Sequence, residues 1–186
     1  MARSVRSAMT GRGVDADARN GVERALGSAM SSRLSRLNDD HHPAYLHPGR
    51  SVLILLHDVQ ELPSSSLPIA AAHESEDAPL RLSAARLRAE LGEEVAAAVA
   101  RLPLPGDEAL EERLVMLERD LALAVLAERL DHLRHLHLRK DLSDEWEARH
   151  AEVERAWAPF AARTDPRLVV RFDHWARTFG RRLRRP

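Results

Sequence analysis

Histidines and carboxylates recur in this chain at positions far apart in sequence: His47-Pro48, His73-Glu74 with Glu76-Asp77 close behind, and Glu128-Arg129-Leu130-Asp131-His132 well downstream. Imidazole and carboxylate together form a donor set suited to Mn²⁺, Fe²⁺ or Zn²⁺. A bound divalent ion lowers the pKa of its water enough to make a nucleophile near neutral pH. Each fragment alone also has an ordinary structural reading. A His before Pro is commonly a capping residue, and a His in an Ala-rich helix is commonly a hydrogen-bonded core imidazole. Glu128, His132 and His135 fall at i, i+4 and i+7, one face of a helix, where solvated or ion-paired stripes are common. With Asp131 and His137 beside them, the same stretch has the ligands to hold a metal by itself.

A site assembled from such fragments needs separate elements to bring them together, and the hydropathy pattern supplies helices. Val22, Leu26, Met30, Leu34 and Leu37 recur every three to four residues from Asp17 onward, which predicts an amphipathic helix. After a turn at Asn38 to Pro43, Pro48 suits the first turn of a deeply buried helix through Val52 to Val59. A Ser-rich loop from Pro63 to Pro68 leads into a short Ala-rich helix from Leu67 to about Glu76. Ser83 is placed to cap Ala84 to Leu91, Gly92 separates that helix from Glu93 to Leu102 with Val95 and Val99 inward, and Pro103, Pro105 and Gly106 break the chain again. Asp107 to Leu138 is too long for one ordinary helix and should bend near Glu118 to Leu121. Ser143 to Arg163 and Pro166 to Arg185 complete the chain, with Trp146, Trp157, Trp175, Phe160, Phe172 and Phe179 as their core. No segment alternates as a strand does, so the expected fold class is all-α: one helical domain over 16–186, preceded by a disordered start over 1–15.

Composition narrows the function classes. The 186 residues, 44% hydrophobic, suffice for one domain with a proper core. No apolar run approaches a membrane span and no secretory leader is evident, so a soluble, cytoplasmic protein with no membrane partner is expected. Without cysteine there is neither a disulfide framework nor a thiolate metal site. Twenty-eight basic against 29 acidic residues leave a net charge of -1, which argues against nucleic-acid binding. The Arg-rich end at Arg177, Arg181, Arg182, Arg184 and Arg185 is read as complementing a helix C-terminus. The preference for Arg over Lys reflects codon bias in a G+C-rich genome. No P-loop, Gly-rich dinucleotide loop or nucleophilic Ser elbow is present.

The order and spacing of the His and acidic fragments resemble the HD-domain metal phosphohydrolases, and within them the RelA/SpoT hydrolase domain and the small alarmone hydrolases. His47-Pro48 matches the His-Pro that opens a buried helix in that family, and His73 follows 26 residues later. Gly92-Glu93-Glu94-Val95 matches the family's Gly-Glu-Glu-Val. Ala127-Glu128-Arg129-Leu130-Asp131-His132-Leu133-Arg134 is similar to its Ala-Asp-Arg-Leu-His-Asn-Met-Arg. The likeness spans roughly Tyr45 to Leu138. It implies an HD-type fold, a nucleotide substrate such as guanosine tetraphosphate, and Mn²⁺ or another divalent metal held by His47, His73, Glu74 and Glu128. Glu76 and Asp77 would orient the attacking water, with Arg50, His132 and Arg134 facing the substrate. Glu74 and Glu128 each stand where the family has Asp, His132 stands where it has Asn, and the basic segment that precedes His-Pro is absent. The literal His57-Asp58 pair lies on the same helix as His47 and only ten residues after it, so His73 is preferred as the second ligand. The alternative reading is a catalytically silent HD-like helical module that binds a protein partner or a nucleotide.

Overall fold

Eleven helices, built on one buried central helix, account for most of the described residues of the computed structural model, which describes residues 1–39, 42–136 and 144–183. In chain order they are α1 Ala2–Gly11, α2 Ala16–Leu37, α3 Pro43–Asp58, α4 Ser66–Ala72, α5 Ala84–Leu91, α6 Glu93–Arg101, α7 Leu110–Val115, α8 Arg119–Leu136, α9 Asp144–Glu152, α10 Ala158–Thr164 and α11 Pro166–Leu183. A 3₁₀ turn at Ala78–Leu80 follows α4, and a π turn at Val153–Trp157 joins α9 to α10. No strand occurs among the described residues, and the fold is all-α. His137, Arg184 and Arg185 lie outside the described residues.

The central helix is α8. Every residue from Leu121 to Asp131 is buried, as expected of a helix enclosed on all sides, and it packs against α3, α4, α10 and α11. The stretch from Asp107 to Leu138, expected to bend near Glu118 to Leu121, is broken slightly earlier, at Met116 to Glu118, giving α7 and α8. Trp146, Trp157, Trp175, Phe160, Phe172 and Phe179 are all buried in the C-terminal half of the core. Ser83 caps α5 by accepting the Arg86 N–H, and Gly92, at φ 91°, separates α5 from α6.

Besides α4, which ends early at Ala72, three elements depart from the sequence expectation, each for a local reason. First, the disordered start expected over 1–15 is instead helix α1, which docks on α2 and α3. Val5 and Met9, one turn apart, are fully buried, while the rest of the helix is small or polar and gave no sustained period. Removing that anchor should be costly. Met9→Ala is expected to lower stability by about 2–5 kcal/mol, read by urea unfolding, whereas a change within experimental error would mean that α1 is not docked in solution.

Second, the buried stripe of α2 runs through Val22, Ala25, Leu26, Ala29, Ser32 and Arg33, and Leu34 is 41% exposed. Steps of four residues advance about 40° beyond a full turn, so the expected series from Val22 to Leu34 drifts around the helix while the mixed three-and-four ladder stays on one face. Third, α3 begins at Pro43 and carries Pro48 inside it, with the His42 ring accepting the Ala44 N–H at 3.1 Å.

Candidate metal centre

Four chain segments meet at one end of the core. Helix α3 contributes His47 and Arg50, α8 contributes Glu128, Asp131 and His132, α2 contributes Arg33, and the segment after α4 contributes His73 to Asp77. Helix α4 stops at Ala72, four residues short of the expected end. Competing hydrogen bonds explain the stop. The Glu74 carboxylate accepts the backbone N–H groups of Glu76 and Asp77, each at 3.0 Å, and Glu128 accepts both the Ser75 N–H at 2.8 Å and its hydroxyl at 3.0 Å. Arg81 holds the turn from outside by donating to the carbonyls of Glu74, at 2.9 Å, and Ser75, at 2.6 Å. Amides that would have continued the helix thus point at two buried carboxylates.

At the heart of the cluster, His132 Nε2 lies 3.0 Å from Glu128 Oε1 and 3.1 Å from Glu74 Oε1. His47 Nε2 lies 3.6 Å from the same Glu128 oxygen, and the His47 and His132 rings are 4.0 Å apart. One ligand atom each from His47, Glu74 and His132 lie within 4.8 Å of one another, close enough to share a metal ion. His47 Nδ1 is 2.8 Å from Asp131 Oδ2, a carboxylate that Arg50 also grips at 2.9 and 3.1 Å. An ionised carboxylate can only accept, so His47 carries its proton on Nδ1 and, when neutral, presents the Nε2 lone pair to the cluster. That Nε2 and His73 Nε2 are buried with no hydrogen-bond partner, and His132 Nε2, although within ion-pairing distance of both carboxylates, makes no well-aligned hydrogen bond to either.

The charges nearly cancel by themselves. Glu74 is gripped by Arg33 at 2.8 Å, with both side chains almost completely buried, and Asp131 by Arg50. Burial opposes charge on His132, but the facing Glu128 and Glu74 carboxylates outweigh it and push its pKa up to about 10. Burial likewise works against the carboxylates, yet the His132 charge holds Glu128 well below the usual range, and His132 and His47 do the same for Glu74. Asp131 is held down at about 2: burial is overcome by its contacts with His47 and Arg50. His73 moves the other way, since burial outweighs the nearby carboxylates and lowers its pKa, leaving it neutral at pH 7.

Of the residues singled out in the sequence, His47, Glu74, Glu128 and His132 converge, and neutral His73 is buried beside them under the influence of the same carboxylates. His57 is exposed and remote in role, and its neighbour Asp58 pairs with Arg171 on α11. Arg50 is bound to Asp131. Glu76 does not open onto the cluster: it is clamped by Arg129 and Arg149, whose charges overcome burial and lower its pKa. Asp77 is exposed, and Arg134 lines a different cavity. Glu93 and Glu94 are exposed on α6, Glu93 pairing with Arg88.

Sequence reasoning gave no role to Arg33 or Ser75 at this centre and read Asp131 only as one ligand of a local cluster on α8, not as the support of His47. Two of them carried a signal: Arg33 falls on the apolar stripe of α2, and Asp131 lies one turn from Glu128 on α8. No protein-family model, curated protein or solved structure matches this chain.

Proposed function

We propose that this chain is a metal-dependent phosphohydrolase of HD type acting on a nucleotide, with guanosine tetraphosphate as the first substrate to test. The observation that supports it most is the His47 imidazole. Its Nδ1 is fixed by Asp131, and its buried Nε2 faces Glu128, Glu74 and His132 without a hydrogen-bond partner. A carboxylate behind a histidine is the usual support of a metal-bound imidazole, because it fixes the tautomer and raises ligand basicity.

The unpartnered His73 Nε2 is a second such donor, and two imidazoles with two carboxylates suit Mn²⁺, Fe²⁺ or Zn²⁺. A divalent ion there would supply Lewis acidity and a more acidic bound water. His47, His73, Glu74 and Glu128 are the residues assigned to hold it. Asp131 orients His47, Arg33 and Ser75 fix the carboxylates, and His132 must yield its proton before its nitrogen can join. The nucleotide assignment rests on the resemblance of the His-Pro, Gly-Glu-Glu-Val and Glu128 segments to alarmone hydrolases.

One observation favours a second reading, a catalytically silent helical module. His132 Nε2 already bridges Glu74 and Glu128, where its positive charge does the neutralising work of a cation. The test is elemental analysis of untagged protein, together with hydrolysis of guanosine tetraphosphate with and without Mn²⁺. Slow turnover that appears only with added Mn²⁺, from protein that is folded without it, is the expected result. No bound metal and no turnover of guanosine tetraphosphate or simple nucleotides at saturating Mn²⁺ would leave the silent module.

A further inference from the structure

A cavity of about 650 Å³ opens between the end of α3, α8 and α11, in the size range of small-molecule sites. The buried Leu130 and Trp175 form its apolar base, and the exposed Pro166 and Val170 flank them. Its rim is cationic, carrying Arg134, Arg167, Arg171 and Arg177. Only one carboxylate, Asp58, lines it, and Arg171 consumes that charge through contacts of 2.5 Å to both oxygens. Among the described residues no carboxylate pairs with Arg134, Arg167 or Arg177, and Arg177 donates to the Asp173 carbonyl. Three uncompensated guanidiniums around an apolar floor are an unusual concentration in a chain of net charge -1.

The start of α11 offers no anion site of its own, because the Asp165 carboxylate just ahead of it already complements the positive end of the helix dipole. The free amides there are already taken by Asp165, which accepts from the N–H groups of Arg167 and Leu168. Any anion must therefore be held by the guanidiniums. Their planar forks match phosphate oxygens two at a time, which a point charge cannot do.

The cavity is separate from the metal centre. On α8, Leu130 and Arg134 each sit two residues beyond Glu128 and His132, about 200° around the helix axis, and so face the other way. We propose that this cavity is a second ligand site, which binds an organic phosphate with its apolar body over Leu130 and Trp175, beside Val170, and its phosphates between Arg134, Arg167 and Arg177. The proposal is independent of metal binding.

The fluorescent nucleotide N-methylanthraniloyl-ADP, titrated into the full chain in EDTA, tests it directly. Saturable binding is expected, with the double substitution Arg134→Ala and Arg167→Ala weakening it by about tenfold or more, since each removed guanidinium loses charged hydrogen bonds. Both side chains are exposed, so the variant should keep the wild-type melting temperature, and Arg36→Ala, remote on α2, should bind as the wild type does. In competition, ADP should displace the probe at a concentration at least about tenfold below that of pyrophosphate or adenosine, because the site needs both head and body. Absence of saturable binding, or unchanged affinity in the double variant, overturns the site. Equal competition by pyrophosphate overturns the assignment of an organic ligand.

Discussion

Arg33→Met is expected to lower the unfolding free energy by about 3–5 kcal/mol at pH 7, the range for removing one partner of a buried ion pair. Arg33 is fully buried on α2, and its Nη2 reaches Glu74 Oε2 at 2.8 Å across 41 residues of sequence. Without it, a buried carboxylate keeps two backbone amides and His132 but loses its only guanidinium. The pair itself is not the source of that energy. Replacing both partners, Arg33→Met with Glu74→Gln, should recover much of the loss, because no unpaired charge is then left in the core.

The pH dependence has a definite sign. The Glu74 pKa is lowered in the fold, so its ionisation contributes stability that is present above the ordinary carboxylate range and lost as pH falls toward the folded value. In Arg33→Met that depression shrinks, and the difference between variant and wild type should narrow on acidification. Urea unfolding at several pH values measures it. A loss under about 1 kcal/mol at pH 7 would place Arg33 among ordinary surface-type pairs and remove it as a support of the site.

How much of this was legible in the sequence depends on what kind of signal each residue carries. Helix type was legible because it is written in many residues at once: capping Ser83, Gly92 and the apolar run of α8 each point the same way. The preference for His73 over His57 drew on topology, since two residues ten apart on one helix cannot enclose a site, and on the placement of Gly92-Glu93-Glu94-Val95; in the fold His73 is buried just after α4 and His57 is exposed on α3. Helix α1 was not legible, because its burial rests on only Val5 and Met9.

Nor could spacing show where Glu76 would turn. Its partners Arg129 and Arg149 come from α8 and α9, and Arg129 is itself buried, paired also with Glu152 at 3.4 Å and set over the Trp157 ring. A motif states which residue types recur, whereas a rotamer is decided by whatever charge the rest of the fold brings within reach. The same holds for His132, which the resemblance would turn toward substrate and which the fold turns inward between two carboxylates.

His132→Ala is therefore expected to be the most informative single substitution. Without metal it should lose about 3–5 kcal/mol of stability at neutral pH, since Glu74 and Glu128 are left facing one another without the charge between them. The sign of the pH effect follows from the raised pKa. His132 titrates near 6.5 when unfolded and at about 10 in the fold, so the stability from its charge is fully present below about 6.5 and is lost as pH rises through 10. The metal-free wild type should weaken steadily across that window, and the variant should lack this slope.

Metal binding runs opposite. In the wild type an incoming ion competes with the His132 proton, so affinity should climb with pH, whereas the variant has no such proton to displace and should gain more from metal at pH 7. At a metal concentration about 100 times the dissociation constant, that gain is about 2.7 kcal/mol, readily seen in thermal melts with Mn²⁺ or Zn²⁺. A metal-free variant as stable as the wild type at pH 7, with the same slope above it, would show that His132 carries no charge between the carboxylates. If instead the variant is destabilised and neither protein gains stability from metal even at pH 8, the imidazolium is the permanent cation of this cluster, and the centre holds helices α3, α4 and α8 together instead of holding an ion.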